Sequence, residues 1–136
     1  MVIDKVLVIA SAVIKNKQGK ILLLQRSDKS SYPGYWQLVE GKLEQGELPT
    51  ETIKRETEEE VNAKATNVKF SNIFYKKLEA KGLKYLCFRV VFNSSVDFKK
   101  LKTSDEHTSF GWFGKKEIKD LPLLPGTKDI LETLFD

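Results

Sequence analysis

The sequence has one cysteine, one histidine and no long apolar run. Cys87, alone, excludes an internal disulfide, and its apolar surroundings read as those of a small buried hydrophobe rather than a nucleophile. A lone thiol suits a reducing compartment, so the expected location is cytoplasmic. No stretch approaches the ~20 residues of a membrane span. Val6–Ala10, preceded by Asp4 and Lys5, reads as a short buried strand rather than a secretory leader. The acidic loop of an EF-hand is missing, as are repeats, low-complexity tracts and linkers. No motif interleaves aromatic and basic residues, and the lysines behind the net charge of +4 are scattered. They describe a solvated surface mildly biased toward small anions, and no stable nucleic-acid partner is expected.

What is present is an ordinary soluble composition: 40% apolar and 31% charged residues in a chain of 136. Such a length makes a single domain, 1–136, large enough to close a core without staples. Val6–Lys15 and Lys20–Gln25, separated by a turn containing Gly19, read as a hairpin. Residues 27–35 are loop by composition, Trp36–Val39 a short extended piece, and residues 40–47 a second loop. Val68–Leu78 and Leu83–Phe92 read as paired strands turning at Lys81-Gly82, followed by a strand over Thr108–Phe113. Helices are expected over Lys115–Asp120 and Pro125–Phe135. Trp36 and Trp112 read as core, and His107 as a surface residue.

The informative segment begins at Pro49, which suits a first helical position because its missing N–H costs nothing there. Ile53, Thr57 and Val61 give the helix a buried stripe, and Asn62 tolerates the left-handed backbone that ends it. Glu56, Glu59 and Glu60 share a face bordering that stripe, so all three are expected to be partly sheltered. Like charges at this spacing repel, and desolvation raises the cost. A divalent cation accounts for them: Mg²⁺ takes one or two carboxylates and completes its shell with water and substrate phosphate.

Gly41, five residues, Glu47, seven residues, Arg55-Glu56, two residues, Glu59-Glu60 resembles the Nudix box. At average residue usage, agreement at these positions arises by chance roughly once in 10⁷ starting points. Leu22–Arg26 followed by Pro33–Trp36 is similar to the segment leading into the box of MutT-like members. Three positions depart from the pattern: Asn62 stands for a glycine, Thr57 for a larger apolar residue, and Val39-Glu40-Gly41 for the usual Pro-Gly-Gly.

The resemblance implies an α/β fold, the Nudix-type α/β/α sandwich with a mixed β-sheet, and a Mg²⁺-dependent hydrolase, with Mn²⁺ as a substitute. Glu56 and Glu60 would be the main metal ligands, with Glu59 a further ligand or a water-positioning group, and the Glu40 carbonyl another ligand. Arg55 would pair with Glu47, holding the loop to the helix. Only one of Asp105 and Glu106 can face the site if the following strand extends back to them. The resemblance selects Glu106, as ligand or general base. Arg26 and Lys42 would contact the phosphates or base of a small nucleotide. The implied substrate is a nucleoside diphosphate linked to another group, foremost a nucleoside triphosphate; ADP-ribose, dinucleoside polyphosphates and dihydroneopterin triphosphate stay open, as does a non-catalytic nucleotide-sensing role.

Overall fold

The computed structural model describes residues 2–97 and 107–135. Two small sheets carry the architecture. In the first, β4 (Val39–Lys42), β1 (Lys5–Ile14), β6 (Leu83–Asp97) and β5 (Lys64–Ala80) lie in that order, with β1 and β6 parallel and the other neighbours antiparallel. In the second, β3 (Trp36–Gln37), β2 (Ile21–Arg26) and β7 (His107–Phe113) are antiparallel.

Strand alternation divides the core in two. Ala10, Ala12 and Ile14 of β1 join Leu22 and Leu24 of β2 in one cluster, under Ile53 and Val61 of α1 (Pro49–Val61). Val13, Ile21 and Leu23 point the other way. They pack with Leu38, Val91, Ile118 of α2 (Lys115–Ile118), and Ile130 and Leu131 of α3 (Pro125–Leu134). Helices therefore cover both faces of the strand layer, the expected sandwich. Burial of each large aliphatic side chain contributes about 1.5–3 kcal/mol.

The first expected hairpin does not form as a ladder. The Asn16 side chain accepts from the Gln18 and Lys20 N–H groups and builds the turn, but only an isolated bridge, Lys15 with Ile21, joins the two strands. After it β2 leaves for the second sheet, because both faces of Ile21–Leu24 are apolar and each needs its own cluster. Residues 40–47 are likewise not all loop: β4 runs to Lys42, pairing antiparallel with β1 from Ile9 to Ala12. The β5–β6 hairpin is present and longer than its apolar pattern, turning at Lys81 (φ 51°) and Gly82 (φ 76°). Trp36 packs edge-on against Phe113, and Trp112 against the α1-side cluster, as core residues do. Trp36 is also fixed to the chain before α3, its N–H donating to the Pro122 carbonyl at 2.8 Å.

Candidate active site

The helix α1 is set by its ends. Pro49 occupies its first turn, and the Leu48 N–H donates to the Glu51 carboxylate at 2.9 Å. At the far end Asn62 adopts φ 57°, ψ 44°, the left-handed conformation, and its N–H closes on the Glu58 carbonyl. Thr57 is fully buried and satisfies its hydroxyl by donating to the Ile53 carbonyl at 2.6 Å, which is how a polar residue is tolerated on the apolar stripe.

Arg55 ties this helix to the preceding loop. Its Nε lies 2.6 Å from Glu47 Oε2 and its Nη2 3.0 Å from Glu47 Oε1, a two-pronged pair. The guanidinium also donates to Glu56 Oε1 at 2.7 Å, to Glu59 Oε2 at 3.2 Å and to the Lys42 carbonyl. These bonds hold the Glu47 carboxyl down at about 2, with the Glu44 backbone N–H and the Thr52 hydroxyl contributing less, and raise the Arg55 pKa further above its ordinary value.

The three helix acids are not equally sheltered. Glu60 is 4% exposed, Glu56 is half-buried, and the Glu59 side chain is 58% exposed. The expectation of common shelter fails for Glu59 because it points past the loop, where Arg55 is its only protein partner among the described residues. Glu60 is the unusual group. Burial pushes its carboxyl well above the carboxylate range, reinforced by the adjacent Glu56 carboxylate, within hydrogen-bond reach, and by the charge of Glu40; the Glu40 backbone N–H, facing it, opposes the rise. Its Oε2 has no hydrogen-bond partner among the described residues.

Gly41 of β4 lies over Glu56 so closely that a Cβ would stand 2.2 Å from Glu56 Oε1. The glycine is therefore required by proximity and not by a positive φ.

Glu60 and Gly41 open onto a cleft of about 540 Å³ at the seam between the sheets, which Glu47, Arg55, Glu56 and Glu59 do not line. Ile9, Glu40 and Lys42 line it from the first sheet, and Arg26, Gln37 and His107 from the second. Arg26 is held by donating to the Ser31 carbonyl and hydroxyl and to Gln37 Oε1. Three of its five N–H donors are so used among the described residues. Lys42 is exposed at the rim.

His107 corrects the sequence reading: it is 6% exposed, not on the surface, and its Nε2 lies 3.8 Å from Glu60 Oε2. Burial, helped by the Arg26 charge, lowers its pKa to about 4, so it is neutral. Its Nδ1 is unpartnered among the described residues. Plain alternation would set His107 on the face of β7 opposite Phe110 and Trp112; the register shift between Gln25 and Arg26 pairs it with Arg26 instead and turns it to their face, toward Glu60 of α1. Glu106 and Asp105 lie outside the described residues.

The donor set fits a divalent cation. Two carboxyl groups side by side, one with an oxygen that is buried and unpartnered among the described residues, repel unless a proton or a cation sits between them, and a divalent cation meets both. Among the described residues no three His, Cys, Asp or Glu side chains form a preassembled cage. An ion held here would take one or two carboxylates and leave the rest of its shell to water and phosphate. A second cleft, of about 500 Å³ between α2 and α3, has a single acid in its lining, Glu132, already paired to Lys128.

The family model described as NUDIX domain matches residues 5–134. Among solved structures, the solution structure of the E. coli ORF135 protein is 28% identical with TM-score 0.73, covering 96% of this chain and 89% of that one. The MutT protein of Methanosarcina mazei Go1 is 26% identical with TM-score 0.75, covering 97% and 95%. The MutT NUDIX hydrolase of Burkholderia pseudomallei is 26% identical with TM-score 0.76, covering 93% and 96%. No curated protein matches the chain. No helix among the described residues is long and apolar enough to cross a membrane.

Proposed function

Because this chain belongs to the NUDIX family and is a hydrolase of pyrophosphate bonds in nucleoside diphosphate-linked substrates, we propose that it is a Mg²⁺-dependent nucleoside triphosphate pyrophosphohydrolase releasing a nucleoside monophosphate and pyrophosphate. NUDIX hydrolases generally use divalent metal ions. The observation that carries the reading is the buried, half-satisfied Glu60 carboxylate against Glu56, at the edge of a cleft that also holds Arg26. The choice of a triphosphate is supported by the likeness of Leu22–Arg26 and Pro33–Trp36 to MutT-like members, and by near-complete overlap with two proteins named MutT.

In this reading Glu56 and Glu60 hold the cation, with Glu59 and the Glu40 carbonyl beside them. When bound, the ion neutralises phosphate charge and acidifies water. Arg55 and Glu47 keep the loop and helix in register. Arg26, pre-oriented by Ser31 and Gln37, and Lys42 bind the phosphates and orient them for in-line attack. Glu106 accepts the proton of the attacking water or adds a ligand. His107, neutral and buried, keeps a further positive charge out of the site.

The test is a panel of nucleoside triphosphates, ADP-ribose, dinucleoside polyphosphates and dihydroneopterin triphosphate, assayed with Mg²⁺, Mn²⁺ or EDTA. Turnover of a triphosphate to monophosphate and pyrophosphate, abolished by EDTA and restored by Mg²⁺, is expected. Full activity in EDTA, or preference for a non-triphosphate, would overturn the corresponding half of the proposal. Binding without turnover of any substrate would make the chain a nucleotide sensor.

A further inference from the structure

Glu40 stands where the Nudix pattern has glycine, and the structure shows what its side chain meets. Extended-strand alternation sends the Glu40 side chain to one face of the first sheet and Gly41 to the other. On the Gly41 face lies Glu56, in contact. The Glu40 backbone N–H faces the Glu60 carboxyl and opposes the rise of its pKa. Residues 40 and 41 thus touch both carboxylates proposed to hold the cation.

On the opposite face, the Glu40 carboxylate accepts from Ser11 Oγ at 3.2 Å, and Arg89 Nη2 lies 3.6 Å away. Arg89 sits on β6, beyond β1, and does not line the cleft. Its neighbours on the same strand face, Cys87 and Val91, are buried core residues, so it is a charge placed in an inward-facing series. Its side chain is 14% exposed, its Nε has no partner, and Glu40 is its only ion pair among the described residues.

The first turn of α3 closes over the guanidinium: a Cβ on Gly126 would stand 2.2 Å from Arg89 Cζ. A helix N-terminus is an unfavourable neighbour for a cation. The Glu40 carboxylate therefore compensates Arg89, and Arg89 in turn holds the Glu40 side chain on the α3 face.

The structure assigns Arg89 the part of a positioning residue for the metal site, acting through Glu40: pinning the side chain of residue 40 fixes the backbone of residues 40–41 against Glu60 and Glu56. The metal role of those carboxylates comes from the function proposed above; the mechanical link from Arg89 to the Glu40 amide does not depend on it. Without Arg89, the buried Glu40 carboxyl keeps the Ser11 hydroxyl and loses the guanidinium that holds it in place. Its side chain is then free to shift, and the backbone of residue 40 with it.

Two readouts on the full chain test this. The first is hydrogen exchange of the Glu40 amide in metal-free protein, measured against the Leu23 amide in the second sheet. The second is the dissociation constant of Mn²⁺ alone, by electron paramagnetic resonance. Arg89→Met is expected to speed Glu40 exchange selectively and to weaken Mn²⁺ binding by ~10-fold or more, the usual size for losing a group that orients a ligand. Arg89→Lys should recover most of both. In a Glu40→Gln background, where no charge is stranded, Arg89→Met should change far less.

A merely structural ion pair would speed exchange at Glu40 and Leu23 alike and leave Mn²⁺ affinity unchanged, which overturns the inference. So would an Arg89→Met effect of equal size in both backgrounds. If Arg89→Met does not fold, the Lys variant and the Gln background decide. Wild-type protein that binds no Mn²⁺ would refute the proposed function, while the exchange comparison still judges Arg89.

Discussion

Gly41 and Glu56 are in van der Waals overlap for any residue larger than glycine at position 41: an added Cβ would lie 2.2 Å from Oε1 and 2.7 Å from Cγ of Glu56. The contact is with a movable side chain and not with backbone, so the fold can absorb it while the site cannot. Gly41→Ala is expected to fold, with Glu56 displaced by the methyl group. Misplacement on the ångström scale costs about 10² in rate. Turnover reduced by that factor, with an unchanged circular dichroism spectrum, is the expected result; wild-type turnover would show that Glu56 need not sit where it does.

Glu47 links stability to pH. Its carboxyl lies at about 2, down from the ordinary 4.5, chiefly through Arg55. A lowered acid stabilises the fold above its unfolded value and loses that contribution as pH falls toward its folded value. The stabilisation should therefore be complete above pH 4.5 and vanish between 4.5 and about 2. Thermal melts of wild type and Glu47→Gln should differ at neutral pH and converge across that window. A constant difference down to pH 2 would remove the ion pair as its cause.

Asn62 makes a third case. At φ 57° its backbone is one that β-branched residues resist. Asn62→Gly should leave activity nearly unchanged. Asn62→Val should cost about 1 kcal/mol or more in denaturant unfolding. Equal stability of the two variants would mean that the helix end rearranges freely.

Glu106 is tested against its neighbour. Glu106→Gln should lower kcat by ~10²-fold or more, the scale of lost acid–base assistance, and Asp105→Asn should do little. The reverse result would shift the acid by one residue, and two silent variants would put the base on α1. The assay belongs at saturating Mg²⁺ and several pH values.

Much of this site is legible in the sequence because its parts are local. The box from Gly41 to Glu60 spans one strand, one loop and one helix, so helical spacing brings Glu56 to Glu60, and the resemblance to the box pairs Glu47 with Arg55. Helix periodicity likewise identifies the buried stripe of Ile53, Thr57 and Val61. What spacing does not carry is partnership across the chain. The alternation around Arg89 marks it as an inward charge, but nothing local says that its acid is Glu40, on a strand two places away in the sheet. His107 reads as a polar residue at a strand end until β2 and β7 pair and set it beside Glu60. The hairpin expected at Asn16 fails for a similar reason: the turn chemistry is local and present, but sheet membership is decided by which faces of β2 must be covered.

That handover at Asn16 also governs how the molecule comes apart. The cleft lies on the boundary between two sheets whose strands, among the described residues, are joined by backbone pairing at no more than an isolated bridge at this turn. A ligand lodged there has one flank on Ile9 and Glu40 and the other on Arg26 and Gln37, so it acts as a rivet through both plates. Unfolding must first release it, and by mass action each rise in ligand concentration above its dissociation constant raises the melting temperature. Heat tolerance in this protein is in that sense partly a property of its substrate.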